Sequence, residues 1–385
     1  METIPHYFDF FRAFTLQWHI TERCNWSCKH CYREKENMKE LPFAKLCDIF
    51  FQYLDLLKAL NSPKGHSYLN FAGGEPFIRK DFFRLLKFVN KYNKGRFTVG
   101  ILTNSSLINE KNALKLKSLG VKRVQLSLEG MQENNDNIRE KGSFDKVIEK
   151  AKLLVNTGMR TAVSFTLTRK NMADVPALVQ LCEKLGVGKV GIRRFVPIGK
   201  GKENKFNLLS PEELRKIYHW KRKMRIELRA KHSKLHIANG CEDGIFNSAL
   251  TGDMAHRKVC CGVVEGRTLS LFPNGDVLAC RRLPIKVGNV LQKSLLEVYF
   301  SSDILWQLRN LNNAHSLCQK CRNFKFCHGG ALCISHAYFN QLSAPDPQCW
   351  RVFKKLPLQT AFRRWPEKKN LHISTAFSPS FTNEN

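Results

Sequence analysis

Six short apolar runs alternate with amphipathic stretches through the first half of the chain. That alternation restricts the fold more than any other feature. The runs cover residues 15–20, 68–71, 97–102, 121–128, 160–167 and 188–195, and they are β-branched or apolar, as strands require. Between them lie LPFAKLCDIFFQYLDLLKAL, DFFRLLKFVNKY, NEKNALKLKSLG, SFDKVIEKAKLLVNTG and MADVPALVQLCEKLG. Their apolar residues recur at three- and four-residue spacing, as in the stripe Val147, Ala151, Leu154 and Val155, which predicts helices. Gly120, Gly158 and Gly186 stand where such helices would end. Strand–helix units in series imply an α/β fold with a parallel sheet. The simplest form is a partial (β/α)6 barrel with its helices outside and its chemistry at the C-terminal ends of the strands.

Fourteen cysteines in 385 residues need a reason. No apolar stretch is long enough to span a membrane. The N-terminal METIPHYFDFFRAF lacks the basic start, apolar run and cleavage site of a signal peptide, so a cytoplasmic location is expected. In a reducing compartment clustered thiols favour metal or iron–sulfur ligation over disulfides. ERCNWSCKHCYR, residues 22–33, places Cys24, Cys28 and Cys31 on the loop after the first strand. Three thiolates can each ligate one iron of a four-iron cube and leave the fourth iron open, the mark of a catalytic site. Zinc would want a fourth ligand, and His30 sits awkwardly between two cysteines.

CNWSCKHC resembles the CxxxCxxC motif of the radical S-adenosylmethionine (SAM) family, whose fold is a partial TIM-like barrel. The resemblance implies that SAM chelates the open iron and is reductively cleaved to a 5′-deoxyadenosyl radical. Gly73, Gly74, Glu75 and Pro76 resemble the family's GGEP motif, whose backbone and acid contact the SAM amino group. Paired glycines let a backbone approach a ligand closely, and a carboxylate accepts from an ammonium. His30 stands where the family often has an aromatic near adenine, and Asn104 and Ser127 resemble SAM-contacting polar positions. Glu129 is either structural or near substrate. Arg193 and Arg194 face either a carboxylate or solvent. No catalytic acid or base is assigned.

Beyond residue 235 Gly, Asn, Asp and Cys increase. The expected division is a barrel over 1–235, a cysteine-held region over 236–350, and a basic, partly disordered tail over 351–385. FPNGDV predicts a hairpin that would bring Cys261 and Cys280 near one another. Cys261, Cys280, Cys318, Cys321, Cys327, Cys333 and Cys349 resemble the SPASM extension, a seven-cysteine domain for two auxiliary clusters. HGGAL puts five residues before Cys333 where that family has three. The resemblance gives Cys261, Cys280 and Cys333 to one [4Fe-4S] cluster, and Cys318, Cys321, Cys327 and Cys349 to the other. Cys241 is the candidate fourth ligand of the first, with Cys260 as competitor and an open iron as the third option. Two structural zinc sites are the alternative for the region. Cys47 and Cys182 fall in apolar helical patterns, where core packing is expected.

The resemblance implies an enzyme that matures a peptide or protein, with an electron donor such as flavodoxin or ferredoxin. An anaerobic sulfatase maturase, which makes formylglycine, is the alternative within enzymes. A non-catalytic iron–sulfur electron carrier is the alternative outside them, and GGEP argues against it. The net charge of +30 suits an acidic substrate by steering. No nucleic-acid signature accompanies it, so nucleic acid is not expected. With about fourteen residues before the first strand, substrate recognition is expected from a separate leader-binding protein, from the barrel and cysteine-rich surfaces, or from the tail.

Overall fold

The computed structural model describes residues 13–33, 38–238, 240–245 and 261–353, without the side chains of 204–206, 241 and 245. All six strands form: β1 Thr15–His19, β2 Ser67–Ala72, β3 Phe97–Thr103, β4 Val121–Ser127, β5 Arg160–Leu167 and β6 Lys189–Arg194. They lie in chain order in one parallel, curled sheet. The helices between them are α1 Phe43–Ala59, α2 Phe82–Asn93, α3 Glu110–Ser118, α4 Gln132–Ile138, α5 Ser143–Asn156 and α6 Val175–Lys184. The three expected helix-ending glycines all take positive φ. Two elements go beyond the sequence pattern. Helix α7, Pro211–Ala230, opens with a Ser210/Glu213 capping box, and β7, His236–Ala238, pairs parallel to β6.

Strand periodicity decides which residues reach the site. Leu16 and Trp18, Leu69 and Phe71, Val99 and Ile101, Val124 and Leu126 are buried with the apolar faces of the helices in one core. The alternate residues, including Gln17, Asn70, Gly100 and Arg123, therefore line the opposite, inner face of the sheet. Cys182 packs into the core as expected. Cys47 does not: it is only partly buried, because the buried face of α1 runs through Leu46, Ile49, Phe50 and Tyr53, and Cys47 is rotated off it.

The cysteine-rich region does not stand apart from the barrel sheet. Its strands are β8 Thr268–Leu271, β9 Asp276–Cys280 and β10 Leu283–Asn289. β8 pairs parallel to β1, so the ten-stranded order is β10-β9-β8-β1-β2-β3-β4-β5-β6-β7. The predicted hairpin forms on Phe272-Pro273-Asn274-Gly275. Gly275 N–H donates to the Phe272 carbonyl (3.0 Å), and Phe272 N–H donates to the Asp276 carbonyl (2.8 Å). Proline takes the second turn position, and Gly275, at φ 88°, supplies the left-handed residue that closes such a loop. Short helices follow: α8 Leu295–Ser301, α9 Asp303–Arg309, α10 Ser316–Gln319, α11 Phe324–Cys327 and α12 Leu332–Phe339. Residues 354–385, most of the expected tail, and Cys260 lie outside the described residues. Among the described residues no helix is long and apolar enough to cross a membrane.

A buried ion pair fastens this region to the barrel. Arg194, at the end of β6, donates to both carboxylate oxygens of Asp346, at 3.0 and 2.7 Å, and both side chains are almost wholly buried. Asp346 also accepts from Ala331 N–H (3.0 Å) and Gln348 N–H (3.0 Å). Removing one partner strands a buried charge. Asp346→Ala is therefore expected to cost about 3–5 kcal/mol of unfolding free energy. Glu227→Gln, which breaks the exposed Lys223–Glu227 pair, should cost under about 1 kcal/mol. Denaturant unfolding of the reconstituted chain measures both.

Candidate active site

The C-terminal ends of the strands gather one rim, and the cysteine loop leaves β1 across it. Its course is fixed by the next strand's exit. Gly74 N–H donates to the Thr21 carbonyl (2.9 Å), and Glu75 N–H to the Arg23 carbonyl (2.8 Å). A Cβ on Gly73 would sit 2.1 Å from the Thr21 carbonyl oxygen, and one on Gly74 would sit 2.1 Å from that of Arg23. The paired glycines thus admit the backbone of the cysteine loop itself. The buried Glu75 carboxylate accepts from Thr103 Oγ1 (2.8 and 2.9 Å), Asn104 N–H (2.8 Å) and Phe77 N–H (3.3 Å). Burial raises its carboxyl to about 7 against the pull of these donors. Pro76 begins the short 3-10 turn Pro76–Ile78 that follows.

Donors converge on the thiols. Cys24 Sγ receives Trp26 N–H at 3.5 Å and Asn104 Nδ2 at 3.7 Å, and the same Asn104 nitrogen holds Asn25 Oδ1 at 2.9 Å. Arg139 Nη1 reaches Cys28 Sγ at 3.7 Å. Buried Arg33 donates to the Glu22 and Trp26 carbonyls and to Cys31. Burial raises the Cys24 and Cys28 thiols, while Arg33 and Arg139 oppose it. Three sulfurs faced by two buried guanidiniums and an amide suit an anionic, thiolate-ligated cluster. The open cleft beside them, about 450 Å³, is lined by Cys24–Ser27, Arg139 and Glu140.

Glu129, left open from the sequence, is the acid on which the loop turns. It accepts from Arg139 Nη2 (2.5 Å) and Thr166 N–H (2.5 Å), and its Oε1 lies 3.2 Å from His30 Nε2. Burial works to raise its carboxyl, but Arg139 and His30 hold it down at about 2. Arg33 and Arg139 escaped the sequence reading. Their positions off the cysteine motif carry no local signal, and only the fold brings them to the sulfurs. Asn104 is engaged with the loop as described. The Ser127 hydroxyl, at the end of β4, makes no hydrogen bond among the described residues. Arg194 is spent on Asp346, whereas Arg193 Nη1 approaches Glu242 Oε2 at 3.7 Å.

The later cysteines form two groups. Cys318, Cys321, Cys327 and Cys349 line one cavity with Asp346, and burial raises the thiols of Cys318 to about 12 and Cys349 to about 11. Cys280 and Arg282 are electrostatic neighbours of Cys333, and Cys333 in turn bears on partly buried Tyr32, next to Cys31. Cys261 lies in the turn before β8, where its neighbour Gly262 abuts Thr268, the residue cross-strand from Cys280 by extension of the β8–β9 register. Cys241 opens the short helix Cys241–Ile245, but its side chain lies outside the described residues. Among the described residues no three His, Cys, Asp or Glu close on a single-ion site. Cluster ligands bind separate irons and stand further apart.

The family model for the radical SAM superfamily matches residues 18–182, and that for the SPASM iron–sulfur cluster-binding domain matches residues 260–322. The mycofactocin maturase MftC of Mycolicibacterium smegmatis is 31% identical over 353 residues, 87% of this chain and 82% of that protein. An AdoMet-dependent heme synthase of Methanosarcina barkeri is 25% identical, over 84% of this chain and 91% of that one. Streptococcus suis SuiB, solved bound to precursor peptide SuiA, superposes with a TM-score of 0.67 at 17% identity, over 87% of this chain and 75% of that one.

Glu129→Gln would leave Arg139 buried without its counter-charge, at an expected cost of about 3–5 kcal/mol near neutral pH. The ordinary carboxyl titrates at 4.5 and this one at about 2. Its stabilisation is therefore complete above about 4.5 and disappears as pH falls toward 2. Denaturant unfolding at stepped pH should show the two proteins converging across that window.

Proposed function

The chain belongs to the radical SAM superfamily and carries its SPASM iron–sulfur domain, and from that premise we propose that it modifies a peptide or protein at the rim of its barrel. The observation that carries this reading is the convergence of Cys24, Cys28 and Cys31 on one loop, with donors aimed at their sulfurs. When bound there, a [4Fe-4S] cluster and SAM supply a 5′-deoxyadenosyl radical able to abstract a substrate hydrogen. The chain's own part is placement. Arg33 and Arg139 offset the charge of a thiolate-ligated cluster, Asn104 orients Cys24, and Glu129 fixes Arg139 and His30. Ser127 offers a free hydroxyl to SAM, and the GGEP turn carries the adjoining backbone.

A peptide substrate is favoured by the likeness to a maturase along most of both chains, and by the fold shared with SuiB, which binds a precursor peptide. The four-cysteine cavity would hold one auxiliary cluster. Cys261, Cys280 and Cys333, with Cys241, would hold another. A flavodoxin or ferredoxin would supply electrons, and a separate protein would present the substrate leader. The charge of +30 favours acidic partners. A second reading, action on a tetrapyrrole, is favoured by the heme synthase match, which spans 91% of that relative. Product analysis with candidate peptides, a tetrapyrrole and a sulfatase-derived peptide separates these readings and the formylglycine one.

Anaerobic reconstitution should give about twelve irons per chain, three four-iron clusters. A count near four would overturn the auxiliary assignment. Dithionite and SAM should yield 5′-deoxyadenosine, and the Cys24→Ala, Cys28→Ala, Cys31→Ala triple variant should lose at least about a hundredfold of it by chromatography. Retained cleavage would overturn the site.

A further inference from the structure

The segment that walls the four-cysteine cavity turns its thiols inward and its cations outward. Residues 316–327 supply Cys318, Cys321, Asn323 and Cys327 to that cavity. They do so in successive tight turns. Cys321 N–H donates to the Cys318 carbonyl (2.9 Å), Phe324 N–H to the Cys321 carbonyl (2.8 Å) and Cys327 N–H to the Asn323 carbonyl (3.1 Å). Cys318 and Asn323 are buried, and Cys321 and Cys327 partly so. Lys320, Arg322 and Lys325 alternate with them along the chain and are exposed. Lys320 and Arg322 flank Cys321, so each has its Cα about 3.8 Å from that of a cavity-lining residue. Leu317, next to Cys318, is 51% exposed, so the same short segment also offers an apolar side chain.

The acids near this face are spent in the interior. Residues 304–353 contain a single acid, Asp346, although the chain has 33 Asp and Glu. Asp346 is fully buried and committed to Arg194. Helix α11 packs against the short helix Cys241–Ile245, whose acids are buried as well. There Glu242 pairs with Arg282 at 3.2 Å, and Asp243 with Lys221 at 2.8 Å. Among the described residues none of Lys320, Arg322 and Lys325 makes an ion pair; Lys325 lies 5.1 Å from the ring centroid of its neighbour Phe326. On most surfaces such side chains are simply solvated. These stand on the cysteine loops of a redox site, where a partner that exchanges electrons with it must approach. Electron-transfer encounters use small interfaces, and complementary charge gives them orientation and speed. Three cations beside one exposed leucine suit a partner with an acidic rim around an apolar contact.

We propose that Leu317, Lys320, Arg322 and Lys325 form the docking face for an acidic one-electron carrier protein, which delivers electrons at the four-cysteine cavity. The proposal rests on the iron–sulfur reading of that cavity under the proposed function. In the transfer a reduced flavin or iron–sulfur carrier loses one electron and a four-iron cluster gains it. No covalent bond is made or broken.

Isothermal titration of the reconstituted full chain tests this with two probes, an acidic flavodoxin and an acidic two-iron ferredoxin. At least one should bind, and raising the salt from about 50 to about 300 mM should weaken it about tenfold. The Lys320→Gln, Arg322→Gln, Lys325→Gln triple variant should bind about tenfold more weakly at the lower salt, and Leu317→Ser severalfold. The control removes the same charge from another exposed surface, by Arg215→Gln, Lys216→Gln and Arg222→Gln on α7, and should change binding less than about twofold. Tighter binding of flavodoxin assigns the face to a flavin carrier, and tighter binding of ferredoxin to an iron–sulfur one; either supports the docking face. Equal losses in the two triple variants, or no loss in the first, overturns it. So does a single-stranded RNA that binds more tightly than both carriers and is released by the first triple variant. That variant should also make 5′-deoxyadenosine normally with dithionite, and at least about fivefold less with the reduced carrier. Undiminished yield with the carrier overturns the proposal. Dithionite needs no docking face, so a chain that binds a carrier there but makes no 5′-deoxyadenosine with dithionite sinks the proposed function alone. Iron content and circular dichroism of each variant confirm that it has folded.

Discussion

Two backbone hydrogen bonds outside the sheet ladder set the geometry of everything at the rim. Gly74 and Glu75 dock on the carbonyls of Thr21 and Arg23, which extends the pairing of β1 and β2 past the strands' ends. That contact commits the chain to cross the barrel mouth before Cys24 is reached. It also brings Glu75 to Thr103 and Asn104, and so locks the exit of β3 to the same point. Three successive strand exits become one rigid seat. Small residues are demanded there because backbone meets backbone, with no space for a side chain between.

Above this seat the loop is held by charge. Arg139 answers both Cys28 and Glu129, and Glu129 answers Thr166 on β5 and His30 between the cysteines. The sulfurs are thereby wired to the far side of the barrel through one buried acid. Such a network is strong when each member is satisfied and fragile when one is removed. The lower part of the same barrel has the opposite character. There burial and the like charges of Arg123 and Arg193 push the Lys189 ammonium below its ordinary value.

Much of this was legible in the residues. The strand positions, the helix stripes and the three-thiol loop follow from local periodicity and spacing, which local sequence encodes directly. The FPNG turn likewise declares its hairpin. What could not be read is pairing at a distance. Nothing in TLSL names β1 as its neighbour, so the cysteine-rich region reads as separate when its first strand continues the barrel sheet. Arg33 and Arg139 have the same explanation: an arginine announces a charge, and only the fold tells which sulfur it faces. Glu129 could be suspected from its place after β4, but its partners lie on the cysteine loop, α4's end and β5. Cys47 misled because an apolar helix has an exposed side as well.

The pairing of β1 with β8 has a kinetic meaning. Strand β1 is flanked by Leu69 on one side and Leu269 on the other, partners separated by some two hundred residues. During synthesis β1 must wait with one edge open until β8 emerges. Contacts of such long sequence separation form slowly and leave a strand edge available for the wrong partner. A chain cut after the barrel would keep that edge permanently bare. The cysteine-rich segment therefore covers the barrel's own edge at β1.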